Sequence, residues 1–125
     1  MEVKTSTKEK FHVIAVMAPH LSAGMAEELC SLLQQYLQDT PRNVVVNFKD
    51  VKSIDEEGAE CLVRSQQGFY DNGASFVVCE LAPEVERFLD SSNLLELMNV
   101  TPTESEAGDI VQMEEIEREL LDEEE

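Results

Sequence analysis

Basic side chains are scarce in this sequence. Nine Lys and Arg stand against 27 Asp and Glu, for a net charge of −18. Nucleic-acid binding depends on Lys and Arg clusters that neutralise phosphates, so no nucleic-acid partner is expected. The same deficit disfavours an anionic membrane surface. No apolar stretch approaches the roughly 20 residues that a membrane-spanning helix needs. The opening MEVKTSTKEK carries charge and no apolar segment of the secretory kind. The expectation is a cytoplasmic domain, with no membrane attachment, that meets other proteins. A basic partner would be steered in by the charge.

Cysteine and histidine are equally sparse. Cys30, Cys61 and Cys79 are odd in number, match no CxxC spacing and lie among apolar residues. They read as buried reduced thiols that act as small hydrophobes. His12 and His20 are too few for a metal site. The phosphate-binding glycine loops GxxxxGK and GxGxxG are missing, and so is the GxSxG elbow. No metal, no cofactor and no enzymatic activity are expected.

What is present suffices for one domain, since 42% of the residues are hydrophobic. Val3 to Met17 reads as two strands around a polar turn near Lys8 to Lys10. FHVIAVMA, apolar on both faces, is the inner strand, and EVKTST is an edge. In LSAGMAEELCSLLQQYLQ, Ala26, Leu29, Cys30, Leu33, Tyr36 and Leu37 share one helical face. Ser22 is its N-cap, and Pro41 closes the segment. NVVVNF is a buried strand. A helix follows with Ala59, Leu62, Val63, Gln66 and Phe69 or Tyr70 inward, and Gly73 suits its C-terminal turn. SFVVCE is a strand. PEVERFLD is a helix with Pro83 in its first turn and Val85, Phe88 and Leu89 inward. Ser91 and Ser92 form the turn after it. LLELMNV is the expected last strand.

TESE, Thr103 to Glu106, is a capping box for a final helix. Ala107, Ile110, Val111 and Leu121 mark its inner face, with Glu114 as an interruption. Met98 and Met113 are assigned to packing. The order is ββαβαβαβα. It predicts an α/β domain with a mixed, mostly parallel sheet of about five strands, an N-terminal hairpin and four helices. The domain covers residues 1–119, and 120–125 form an acidic tail. Glu114 to Glu125 hold eight acids and one Arg.

The densest polar feature is SIDEEGAE, Ser53 to Glu60, where a strand hands over to a helix. Asp55 is placed to cap that helix. Glu56 and Glu57 would then lie in its first turn, where the helix dipole favours negative charge by about 0.3–1 kcal/mol each. The same carboxylates could instead form a contact surface, act as acid and base, or hold a divalent cation.

Three stretches resemble one family. They are NVVVNFKDVKSIDEEGAECLV, then SFVVCELAPEVERFLDSSNLLEL, then VTPTESEA. They are similar to the STAS domain of bacterial anti-sigma-factor antagonists over about Val3 to Glu119. The resemblance implies a non-enzymatic interaction module that binds an anti-sigma factor or serine-kinase-type regulator. It implies a Ser or Thr directly after the Asp, whose phosphorylation blocks binding. Asp55 and Gly58 match that turn, whereas Glu56 occupies the phospho-acceptor position and has no hydroxyl.

Three readings of DEEG stay open. Glu56 mimics the phosphorylated state; Glu56 and Glu57 contact a basic partner; or the acids only cap and solubilise the helix. The expected contact surface is Leu21, Ser22, Asp55, Glu56, Glu57, Gly58, Glu60 and Arg64. Modification of Ser53 is a further option. A scaffold subunit of a stress-signalling assembly, or a domain binding a metal or small anion, are the alternatives.

Overall fold

The computed structural model describes residues 2–124; Glu125, the end of the acidic tail, lies outside the described residues. In chain order the elements are β1 (Val3–Thr7), β2 (Phe11–Val16), β3 (His20–Leu21), α1 (Ala23–Gln35), β4 (Asn43–Asn47), β5 (Ser53–Ile54), α2 (Glu56–Asp71), β6 (Phe76–Cys79), α3 (Pro83–Ser91), β7 (Val100–Thr101) and α4 (Glu104–Glu124). Five strands form one sheet in the order β1-β2-β4-β6-β7, and β3 pairs with β5 in a separate two-stranded sheet. Only the β1–β2 hairpin is antiparallel; β2, β4, β6 and β7 run parallel. This is the expected mixed α/β sheet with four helices. The two-residue strands β3 and β5 are additions to it.

The alternation of β4 explains the layers. All five of its residues are buried. Val44 and Val46 enter a large core with Ile14, Leu29, Leu33, Leu62, Phe69, Phe76 and Leu89, beneath α1, α2 and α3. Val45 faces the other way, into a smaller core with Phe11, Val13, Val77, Cys79, Ala107 and Val111, covered by α4. Between Phe69 and Tyr70, Phe69 is the buried residue, and Tyr70 is exposed. Helix ends follow the local chemistry. Ser22 Oγ accepts from Met25 N, Pro83 sits in the first turn of α3, and Gly73 takes φ +68° after α2.

Two polar residues bracket β4, and both reach α4. At the start of the strand, Asn43 Nδ2 donates to Glu115 Oε1 (2.8 Å) and to the Lys10 carbonyl (2.9 Å). Asn43 Oδ1 accepts from Ser75 N (2.8 Å) and Arg118 Nη2 (3.2 Å). At the end of the strand, Asn47 Nδ2 donates to Glu80 Oε2 (2.8 Å) and Glu104 Oε1 (3.1 Å). α4 is therefore fastened at its first residue and again past its midpoint, and it runs antiparallel to β4. Buried amides left unpaired would cost about 1–3 kcal/mol each, so these bonds decide how α4 sits.

Several expectations change. LLELMNV is not a strand: Leu95–Leu97 form a 3-10 turn, and only Val100–Thr101 pair with β6. Asn93, at φ +61°, turns the chain just before this segment. In the capping box, Glu106 N donates to Thr103 Oγ1 (3.2 Å), but among the described residues no return bond from the Glu106 side chain is made. Leu121 and Met113 do not pack inward; they are 63% and 57% exposed. Met113 lies about 120° round the helix from Ala107, whereas Leu121 lies within about 40° of it and is exposed in the last turn of α4. Cys30 and Cys61 are not reduced thiols. They form a disulfide between α1 and α2, whose packing brings their Cα atoms to 6.1 Å. Cys79 is buried and free, as expected.

The bond from Asn43, the largest cause, and the Arg118 guanidinium hold the Glu115 carboxyl below its ordinary range, against its partial burial. A carboxyl lowered in the folded state stabilises above its unfolded value, about pH 4.3, and that stability is lost as pH falls through the folded value. Glu115→Gln should therefore flatten the acid limb of the stability profile. Urea midpoints measured from pH 6 down to about pH 3 would show it, and parallel profiles for variant and wild type would refute it.

Candidate functional site

The β3–β5 ladder places His20 beside Ser53 and Leu21 beside Ile54. Pro19 O accepts from Lys52 N and Ser53 N, and Leu21 O accepts from Asp55 N (3.0 Å). This small sheet brings the start of α1 next to the start of α2. Asp55 completes the junction. It occupies the N-cap position of α2 with extended backbone, but its side chain makes no capping bond there. Instead, Oδ2 accepts from Ala23 N (3.1 Å), the first residue of α1, and Oδ1 lies 2.9 Å from His20 Nε2. The expected cap for α2 thus serves α1, because the ladder turns the carboxylate toward the free N–H groups of that helix.

His20 Nδ1 is 2.7 Å from Ser53 Oγ. A carboxylate only accepts, so the Nε2 proton faces Asp55; in the neutral imidazole Nδ1 then accepts from the Ser53 hydroxyl. Hydroxyl, imidazole and carboxylate form a chain, yet the His20 and Asp55 side chains are 46% and 40% exposed. A hydrolytic triad buries its carboxylate. Here the chain fastens two segments together, β3 and the β5–α2 junction. Sequence spacing gave no sign of it, since its members lie 33 and 35 residues apart.

The expected contact residues separate into groups. Glu56, Glu57 and Glu60 are exposed on the first two turns of α2. Ser22 and Asp55 are half-buried at the joined helix starts. Leu21 is fully buried and contributes its carbonyl, not its side chain. Gly58 is buried because α2 passes close to the ladder. A Cβ there would lie 2.9 Å from Ile54 Cγ1 and 3.2 Å from Leu21 O. Arg64 is exposed two turns further on, beside a groove between α1 and α2 that Glu27, Gln34 and Gly68 also line.

Other candidates for chemistry fall away on their surroundings. Burial, then Glu104 and Glu80, push the Cys79 thiol up to about 12, so it is not the thiolate a nucleophile or metal ligand requires. His12 lies between Thr7 Oγ1 and the Pro41 carbonyl, both at 2.9 Å, with its ring against Tyr36. Among the described residues no group of three His, Cys, Asp or Glu is placed to hold a metal. Among them, too, no helix is long and apolar enough to cross a membrane.

The STAS domain model matches residues 2–107. The chain belongs to the STAS family. Among its relatives, the anti-sigma-B factor antagonist of Staphylococcus aureus is 24% identical over 100 residues, spanning 80% of this chain and 92% of that protein. The crystal structure of an anti-sigma factor antagonist from Mycobacterium paratuberculosis superposes with a TM-score of 0.77 at 17% identity, over 89% of this chain and 93% of that one. A serine-to-glutamate variant of RsbS from Moorella thermoacetica gives 0.69 at 15% identity, over 90% and 96%. STAS anti-sigma-factor antagonists are regulatory binding proteins, and this domain is similar to them.

Two predictions test the junction of this STAS domain. Ala favours a helix interior over Gly by about 1 kcal/mol. Gly68→Ala, with open space at its Cβ, should gain about 0.5–1 kcal/mol in urea unfolding. Gly58→Ala should show no gain and a net loss, and equal gains would mean that α2 does not press on the ladder. Asp55→Ala should cost about 1 kcal/mol, the worth of a lost cap. Asp55→Asn, which keeps an acceptor for Ala23, should recover most of it. A stable Asp55→Ala protein would show that the joined helix starts stand without the carboxylate.

Proposed function

We propose that this STAS domain is a non-enzymatic interaction module, an anti-sigma-factor-antagonist-like regulator of bacterial transcription that works in the cytoplasm. Residues 1–119 are the working domain. The partner is an anti-sigma factor or serine-kinase-type regulator with a basic docking face. The supporting observation is that Asp55 fastens the starts of α1 and α2 while Glu56, Glu57 and Glu60 point to solvent. Such a fixed acidic ridge attracts Lys and Arg at little ordering cost. Glu56 stands where the family resemblance puts a phospho-acceptor hydroxyl, so binding is constitutive and phosphorylation does not gate it there. One carboxylate carries less charge than a phosphate and fewer acceptor oxygens, which favours a contact role for Glu56 over mimicry of the phosphorylated state.

The first experiment is a titration against purified anti-sigma kinases with wild type, Glu56→Ser and the double variant Glu56→Ala/Glu57→Ala. Wild type and Glu56→Ser should both bind, and the double variant should bind about tenfold more weakly. Binding by Glu56→Ser alone would make Glu56 a built-in off state. Binding by none would favour the scaffold reading.

A further inference from the structure

The STAS match ends at residue 107, and most of α4 lies beyond it. This helix buries one side only. Ala107, Gly108 and Val111 face the small core, and a Cβ on Gly108 would come within 3.0 Å of Phe11 Cζ. Met113, Ile116 and Leu120 lie on the far side, 57%, 56% and 56% exposed. At about 100° per residue they fall within an arc of about 60°.

The charges around the stripe are one-sided. Arg118, the only base between Glu114 and Glu125, is turned inward to Asn43, Ser75 and Glu115. Glu114 accepts from Asn99 and Glu115 from Asn43, so these two also face the body of the domain. Asp109, Glu117 and Glu119 are exposed. On α4 itself the outward face is thus an apolar stripe bordered by acids; Lys8 and Lys10 of the β1–β2 turn flank it on the Ile116 and Glu119 side alone, with Glu9 between them. A contiguous exposed apolar stripe with a polar rim marks an interaction site.

We propose that this face docks an amphipathic helix of a protein partner, with apolar residues at i, i+3/i+4 and i+7 and Lys or Arg on its flanks. Charge selects that occupant. A second copy of this chain would add its own net charge of −18 and set acid against acid along the Glu117 rim. An anionic bilayer would be repelled in the same way. A basic amphipathic helix covers the stripe and pairs with the acids together. The surface belongs to α4, on the opposite side of the sheet from α2, so it works independently of the Glu56 ridge.

The test is fluorescence anisotropy with a synthetic helical peptide of about five turns, leucine along one stripe and lysine elsewhere. A scrambled peptide of the same composition is the control. The stripe variant Met113→Glu/Ile116→Glu/Leu120→Glu should lose at least about tenfold in affinity. It adds negative charge, so attraction by charge alone would hold or strengthen binding. Glu56→Ala/Glu57→Ala should bind the peptide as wild type does. Circular dichroism checks that the stripe variant stays folded, and the wild-type contrast between ordered and scrambled peptide tests the docking without any substitution. Undiminished binding by the stripe variant, or equal binding of the scrambled peptide, would overturn the proposal. So would sedimentation showing a dimer of wild type that the stripe variant loses, since the occupant would then be a second copy.

Discussion

The molecule depends on β4 being buried on both faces. A strand in that position can offer nothing to water, so each backbone group must pair sideways and each side chain must meet a covering layer. The parallel neighbours β2 and β6 supply the first, and the helices supply the second. At the two ends of β4, where the ladder runs out, polar side chains are unavoidable. Asn43 and Asn47 turn that liability into fastenings for α4. The helix layer and the sheet therefore hold one another in place through a few fully paired amides, not through hydrophobic contact alone.

The same logic recurs on the other face at smaller scale. α1 and α2 both begin near the β3–β5 ladder, and each start presents free N–H groups. A single carboxylate, Asp55, answers the need of α1 from the first residue before α2. The acids that follow are thereby left exposed at a rigid corner. Two opposed surfaces result. One is a ridge built from short polar contacts, and the other is the outer stripe of α4. Each is acidic, as the charge of the chain implies, and each is held by hydrogen bonds on its inward side.

Much of this was legible in the residues. The β-branched runs and the helical spacing of Leu29, Leu33, Leu62 and Phe69 gave the alternation and the sheet. Ser22, Gly73 and Pro83 marked helix ends because each answers a local backbone requirement. The rest depends on contacts made at a distance. A two-residue strand has no periodicity, so β3, β5 and β7 exist only through their partners. Leu94 to Val100 is apolar enough for a strand, yet the left-handed turn at Asn93 leads it into a 3-10 turn. Asp55 sat at the expected cap position and bonded elsewhere, since the ladder, which sequence did not disclose, sets its direction. The Cys30–Cys61 pairing follows from how α1 lies on α2, not from their spacing. Leu121 was assigned inward because it follows the spacing of Ala107 and Val111, yet it is exposed; periodicity gives the face of a helix but not how far along it the cover extends.

The margins of the sheet carry a last consequence. β7 is two residues long, and β1 exposes Lys4, Thr5, Ser6 and Thr7. Short or charged, hydroxyl-rich margins discourage the joining of foreign strands. Ladder extension is therefore a poor route to partners, misfolded copies included. Association is left to side chains on the helices, where a few substitutions can redirect partner choice without disturbing the backbone frame.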